Sequence, residues 1–281
     1  MLLIRSIWAG VRTITPARPL GNRPSADHSA WPWRSSVNNH RSGRAWRCGT
    51  QSSIRAVMYE LEQARDRLAR VRGRIAAAAK LAGRDESTVE LIAVAKSQPV
   101  EAILPLISAG QRSFGENRVQ EARAKWPDLR AIHPDLRLHL VGQLQSNKAA
   151  EAVELFEAIH SVDRPSLLAA LARAMSDANR YPACYVQVNV GNEPQKGGCA
   201  VADLPTLLTE AHRLGVSIKG LMCVPPDVIE AAPFFALLNK LSRDHRLGGL
   251  SMGMSGDFET AVMLGSTCVR IGTALFAGRD E

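Results

Sequence analysis

No stretch of this chain reaches the roughly 18 unbroken apolar residues of a membrane-spanning helix, which excludes a span of that kind. There is no H-E-x-x-H and no paired-histidine pattern, so nothing points to a zinc site. The five cysteines, Cys48, Cys184, Cys199, Cys223 and Cys268, include no C-x-x-C. An odd, scattered set of this kind reads as reduced, buried thiols in a reducing compartment. The glycine-rich G-x-G-x-x-G turn that opens an open doubly wound sheet is also missing. Tyrosine is scarce, with only Tyr59, Tyr181 and Tyr185.

Acidic residues are almost absent from one part of the chain. Residues 1–57 hold nine arginines, no lysine and a single acid, Asp27, which accounts for the whole net charge of +8. The remaining 224 residues are charge-balanced and carry no basic footprint, so no nucleic-acid partner is expected. The first 57 residues also hold Trp8, Trp31, Trp33 and Trp46 and show no helical or strand period. They read as a disordered extension, with Met58 the expected start of the folded protein. The same Arg- and Ser-rich, acid-poor composition is that of an organelle-targeting presequence. Residues 1–57 are therefore left out of the fold, and 58–281 are expected to form one domain.

From Met58 onward, Leu61, Ala64, Leu68, Val71, Ile75 and Ala78 recur at steps of three and four and draw one apolar stripe along a helix. Short apolar runs follow at 91–95, 113–114, 138–141, 158–161, 184–189, 218–222, 250–252 and 268–271. Helical stretches fall between them, near 99–109, 117–126, 146–154, 165–179, 203–213, 228–245 and 257–264. Continuous apolar runs indicate strands covered on both faces, and their alternation with helices gives βαβ units. Eight such units predict an α/β fold, a single (β/α)8 TIM-type barrel, with the first helix as an extra element over one end.

In such a barrel the reactive groups lie at the C-terminal ends of the strands. Lys96 directly follows the first run. Desolvation at the barrel mouth would disfavour its ammonium form and favour the neutral nucleophile that attacks an aldehyde. A lysine that simply reaches out to water at a strand end fits the same spacing. After runs seven and eight come Gly253-Met254-Ser255-Gly256 and Gly272-Thr273, small residues just before helix starts, where backbone N–H groups favour a phosphate. A Schiff-base lysine facing a phosphate cradle describes a phosphorylated aldehyde. Glu116, Asp163 and His139 read as structural groups, and Lys196 as a weaker second lysine on a loop over the mouth.

The stretches 93–99, 114–121, 139–148, 220–222, 250–257 and 270–276 resemble the pyridoxal phosphate homeostasis proteins, whose fold is similar to the barrel domain of alanine racemase. The resemblance covers 58–281. It implies that Lys96 carries pyridoxal 5′-phosphate as a Schiff base, that Ser255, Gly272 and Thr273 hold the phosphate, and that Arg270 faces the pyridine nitrogen. Asn117 and Met222 would line the pocket. Phe276-Ala277-Gly278 departs from the family pattern, which more often has Gly directly after the Phe.

Two functions fit these residues. One is a non-catalytic cytoplasmic carrier, a monomer, that binds the cofactor and supplies it to apo-enzymes that depend on it. The other is an amino-acid racemase, which needs a second base on the opposite face of the substrate. None of the three tyrosines stands at the C-terminal end of a predicted strand, and an arginine on the ring nitrogen keeps the ring a weak electron sink. Both features favour the carrier.

Overall fold

The structure, a computed structural model, describes residues 51–227 and 230–276. The expected extension at 1–57 lies outside the described residues up to position 50.

Eight strands close into a parallel barrel in chain order, with the first pairing to the eighth. They are β1 (Glu90–Val94), β2 (Ser113–Glu116), β3 (Arg137–Leu140), β4 (Ala158–Val162), β5 (Ala183–Gln187), β6 (Ile218–Met222), β7 (Gly249–Ser251) and β8 (Cys268–Ile271). The barrel predicted from the eight apolar runs is the fold observed. The helices are α1 (Gln51–Leu81), α2 (Val100–Ser108), α3 (Val119–Ile132), α4 (Ala149–Leu155), α5 (Pro165–Ala178), α6 (Leu204–Arg213), α7 (Ala232–Asp244), α8 (Phe258–Met263) and α9 (Thr273–Phe276).

Two helices differ from expectation. α3 was expected to stop before Pro127, yet it runs on to Ile132. A proline inside a helix removes one backbone donor, but Trp126 and Leu129 on either side of it are both buried. Each such burial contributes about 1.5–3 kcal/mol, enough to offset one lost bond. α1 begins at Gln51, so the predicted boundary at Met58 falls inside it. Its six stripe residues are all buried, as the period requires.

α1 does not cap an end of the barrel. It lies in the outer ring, packed against α2, α8 and α9. α9, the helix after β8, has four residues, too short to cover the seam between β8 and β1, and α1 fills that place. Its arginines fasten it there. Arg67 donates to the Leu275 carbonyl at 2.9 Å, and Arg84, three residues past the end of α1, donates to the carbonyls of Val262 and Ser266 at 2.7 and 2.9 Å. Arg74 forks onto Glu259 at 2.8 and 2.7 Å while lying 4.6 Å over the Phe258 ring. α1 thereby braces α8 and α9, the helices that follow the glycine-rich loops after β7 and β8.

Residues 55–60 of α1 are exposed or half-buried, and the first buried position among the described side chains is Leu61. Protein begun at Met58 is therefore expected to fold with a melting temperature within a few degrees of the full chain's, and to bind the same ligand. Differential scanning calorimetry of the two forms checks this. A truncated form that precipitates would show that the upstream residues hold the barrel together.

Candidate functional site

In a closed parallel barrel every strand delivers its C-terminal end to one rim, and the pairing registers place the candidate residues around it. Ala93 pairs with Phe114 on β2 and with Ile271 on β8. Lys96, three residues on, thus lies between Asn117 and the Gly272-Thr273 pair. Ser255 follows β7, whose Ser251 pairs with both Cys268 on β8 and Met222 on β6. All seven residues belong to the same end of the barrel, at three degrees of exposure: Met222 and Arg270 are buried, Asn117, Ser255 and Gly272 are half-buried, and Lys96 and Thr273 are exposed.

The exposure of Lys96 corrects one expectation. Its side chain reaches solvent, so the dry environment expected around its amine is absent. What is fixed is its backbone. Ser97 adopts a left-handed conformation (φ 57°), uncommon for a residue with a side chain. Lys125 on α3 donates to the carbonyls of Ala95 at 3.1 Å and Gln98 at 3.3 Å, clamping the chain on both sides of Lys96. The same ammonium lies 2.6 Å from Glu116, whose side chain is fully buried and accepts the Trp126 indole N–H at 2.9 Å. Burial pushes the Glu116 carboxyl up, against the opposing pull of Lys125 and Trp126. Glu116 is thus the ion-pair residue it was read to be, and it anchors the lysine that holds the Lys96 loop.

Glycine is required at several points of the rim, Gly253 and Gly142 among them. Gly253 has φ 97°, and a Cβ there would lie 2.6 Å from the Ala261 Cβ and 2.9 Å from the Phe258 Cα. This lets the loop carrying Ser255 fold down onto α8. A Cβ at Gly142 would lie 2.3 Å from the Asn117 carbonyl oxygen, so the loop after β3 packs directly on the backbone of Asn117.

Below the rim the barrel interior is polar. Barrels of this type usually fill it with layers of branched apolar side chains, but here a line of polar groups crosses it. Arg270 is 5% exposed and donates to the Ser251 hydroxyl at 2.7 Å and the Cys223 carbonyl at 2.8 Å. No carboxylate of a described residue lies within ion-pair distance of it. Ser251 lies 2.8 Å from His160 Nδ1, and His160 Nε2 lies 3.1 Å from His139 Nδ1. His139 Nε2 has no hydrogen-bond partner among the described residues, and the Glu90 carboxylate is 3.7 Å away. Burial holds His160 well below the usual histidine range and pushes His139 in the same direction. Tyr185 stacks on the His160 ring at 4.4 Å, and burial pushes its phenol up.

The remaining candidates are held by neighbours. Lys196 donates to the Pro225 carbonyl at 2.9 Å and pairs with Glu193 at 2.9 Å, so its amine is tied between its own loop and the one after β6. Asp163 pairs with Arg164 at 2.7 Å. Cys184, Cys199, Cys223 and Cys268 are buried and free, and burial raises each thiol to about 12.

The sequence reading missed Ser251, His160 and Lys125. One signal was present for His160: β4 reads Ala158-Ile159-His160-Ser161-Val162, with two polar residues inside a fully buried strand.

Comparison with known proteins agrees with this fold. The family defined as the N-terminal domain of alanine racemase matches residues 67–280, which makes the chain one of the barrels of that class. The pyridoxal phosphate homeostasis protein of Pseudomonas aeruginosa is 42% identical over 221 residues, covering 76% of this chain and 95% of that protein. The PipY protein of Synechococcus elongatus, solved with PLP bound, is 41% identical and superposes with a TM-score of 0.66, covering 76% of this chain and all of that one. An alanine racemase of Clostridium difficile shares 13% identity at a TM-score of 0.56, over 78% of this chain and 58% of that one, a likeness of fold alone. The chain belongs to the pyridoxal phosphate homeostasis protein family.

Proposed function

We propose that this protein binds pyridoxal 5′-phosphate reversibly as a Schiff base on Lys96 and supplies it to apo-enzymes in the cytoplasm, without turning over amino acids itself. The observation that carries this reading is Arg270. A guanidinium cannot accept a hydrogen bond and does not deprotonate at ordinary pH, and an unpaired buried charge is costly. Here it is buried beneath the rim on neutral oxygens alone. A ligand that brings a basic ring nitrogen and a phosphate suits that uncompensated charge.

The rim residues fit the rest of such a ligand. Lys96 presents an accessible amine on a clamped backbone, and the hydroxyls of Ser255 and Thr273 with the Gly272 backbone suit a phosphate. Asn117 and Met222 line the space between. When bound, the cofactor supplies an aldehyde carbon that a lysine amine attacks. The relative solved with PLP bound supports the choice of cofactor, and the four buried thiols suit a reducing compartment.

The racemase reading needs a base opposite Lys96. Tyr59 and Tyr181 are exposed, on α1 and before β5, and Tyr185 is buried within β5 against His160. None of the three stands on the rim. Accordingly, the loaded protein is expected to restore activity to an added apo-enzyme and to show no α-proton exchange on free amino acids in deuterated water, followed by NMR. Exchange at about one per second or faster, an ordinary enzymatic rate, and lost in Lys96→Ala, would make the racemase reading the better one.

A further inference from the structure

We propose that Ser251 and His160 are positioning residues for Arg270, holding its guanidinium without a carboxylate so that its charge is directed at the cofactor's ring nitrogen. The proposal rests on the cofactor reading above and deepens it.

The hydrogen-bond directions along the line follow from one end. Arg270 can only donate, so the Ser251 oxygen accepts its bond at 2.7 Å. The single Ser251 hydrogen must then go elsewhere. Its strong acceptor is His160 Nδ1 at 2.8 Å, since the Cys268 sulfur, at 3.8 Å, is a weak one. With Nδ1 accepting, the proton of a neutral His160 sits on Nε2 and is donated to His139 Nδ1 at 3.1 Å. His139 therefore carries its own proton on Nε2, the nitrogen that faces the Glu90 carboxylate 3.7 Å away. One tautomer of each imidazole satisfies the line, and every hydrogen points away from Arg270.

Protonating His160 would place a donor at Nδ1, where the line needs an acceptor. Burial of both rings works against that state. The near-parallel stack on Tyr185, with 10° between the planes, holds the His160 ring in orientation. Arg270 is thereby fixed at Nη1 by Ser251 and at Nη2 by the Cys223 carbonyl, and neither partner neutralises it. A carboxylate in the place of Ser251 would fix the guanidinium as well, but it would cancel the charge that the ring nitrogen sees. Along the line the first carboxylate is Glu90, at the far end of two imidazoles, and Asp257 acts on Arg270 only from beyond ion-pair distance.

Polar residues that only fill space would support the barrel equally for any ligand. The two roles separate in a comparison of pyridoxal 5′-phosphate with its analogue in which the ring nitrogen is replaced by C–H. Binding of both compounds to apo-protein is measured by titration for wild type, Ser251→Ala and His160→Phe, with melting temperatures to confirm folding. Wild type is expected to prefer the pyridine compound. Ser251→Ala should lose about tenfold or more in affinity for it, the range of a hydrogen bond to a charged group, and little for the analogue, so the preference collapses. His160→Phe keeps a ring against Tyr185 but removes the acceptor for the Ser251 hydrogen, and it should lower the same ratio. If Ser251→Ala does not fold, the ratio in His160→Phe decides. An unchanged ratio in the folded variants, with wild type still preferring the pyridine compound, overturns the positioning role and leaves the cofactor reading standing. Wild type that binds neither compound overturns both.

Discussion

Lys96→Ala is expected to yield a folded, colourless protein that retains no pyridoxyl group after borohydride treatment. The side chain is exposed, so truncating it costs the fold little. The covalent bond to the aldehyde, however, has no substitute donor on that part of the rim. Lys125 is engaged by Glu116 and two carbonyls, and Lys196 by Pro225 and Glu193. Ser255→Ala and Thr273→Ala give the contrasting result: the covalent bond persists, while affinity falls about ten- to a hundredfold for each hydroxyl removed from a dianionic phosphate. Visible absorbance and equilibrium dialysis distinguish the two classes. A Lys96→Ala protein as coloured as wild type would remove Lys96 from the site.

The second large effect is on stability and comes from the clamp under that lysine. Lys125→Met preserves most of the side-chain volume but leaves the fully buried Glu116 carboxylate with the Trp126 indole as its one remaining donor. Breaking a buried pair from one side costs about 3–5 kcal/mol. The carbonyls of Ala95 and Gln98 lose their donor as well, which frees the backbone on both sides of Lys96. Urea denaturation is expected to show a lower midpoint at similar slope, with weaker covalent attachment in the surviving fold. Removing both charges, as Lys125→Met with Glu116→Gln, should recover part of the loss, because a neutral amide is cheaper to bury than a carboxylate. A single variant within about 1 kcal/mol of wild type, the scale of an ordinary surface pair, would show that the clamp is not what holds the loop.

The barrel was legible because its strands are covered on both faces and its helices are not. The runs at Ile218–Met222 and Cys268–Ile271 coincide with β6 and β8, and the others differ by one or two residues. Strand ends are set by pairing with neighbours, which a single segment does not reveal. The seven candidate residues lay in motifs long enough to recognise, but their depth was not readable. A lysine after an apolar strand looks the same whether it ends up buried or, as here, exposed. The line through the barrel was least legible. A continuous apolar strand has no period to say which residues face the interior, so Ser251 and His160 were not singled out and His139 read as a structural residue. Their relation appears only when β3, β4, β7 and β8 are closed around one axis. Lys125 gave no signal either, since a lysine on an amphipathic helix ordinarily faces water.

The claim that carries the whole reading is that the cofactor is bonded to Lys96. Borohydride reduction of protein loaded with pyridoxal 5′-phosphate, followed by proteolysis and mass mapping, tests it directly. The account predicts one pyridoxyl group per chain on the peptide containing Lys96. A pyridoxyl group found mainly on Lys148 or Lys196, or spread over surface lysines, would contradict it.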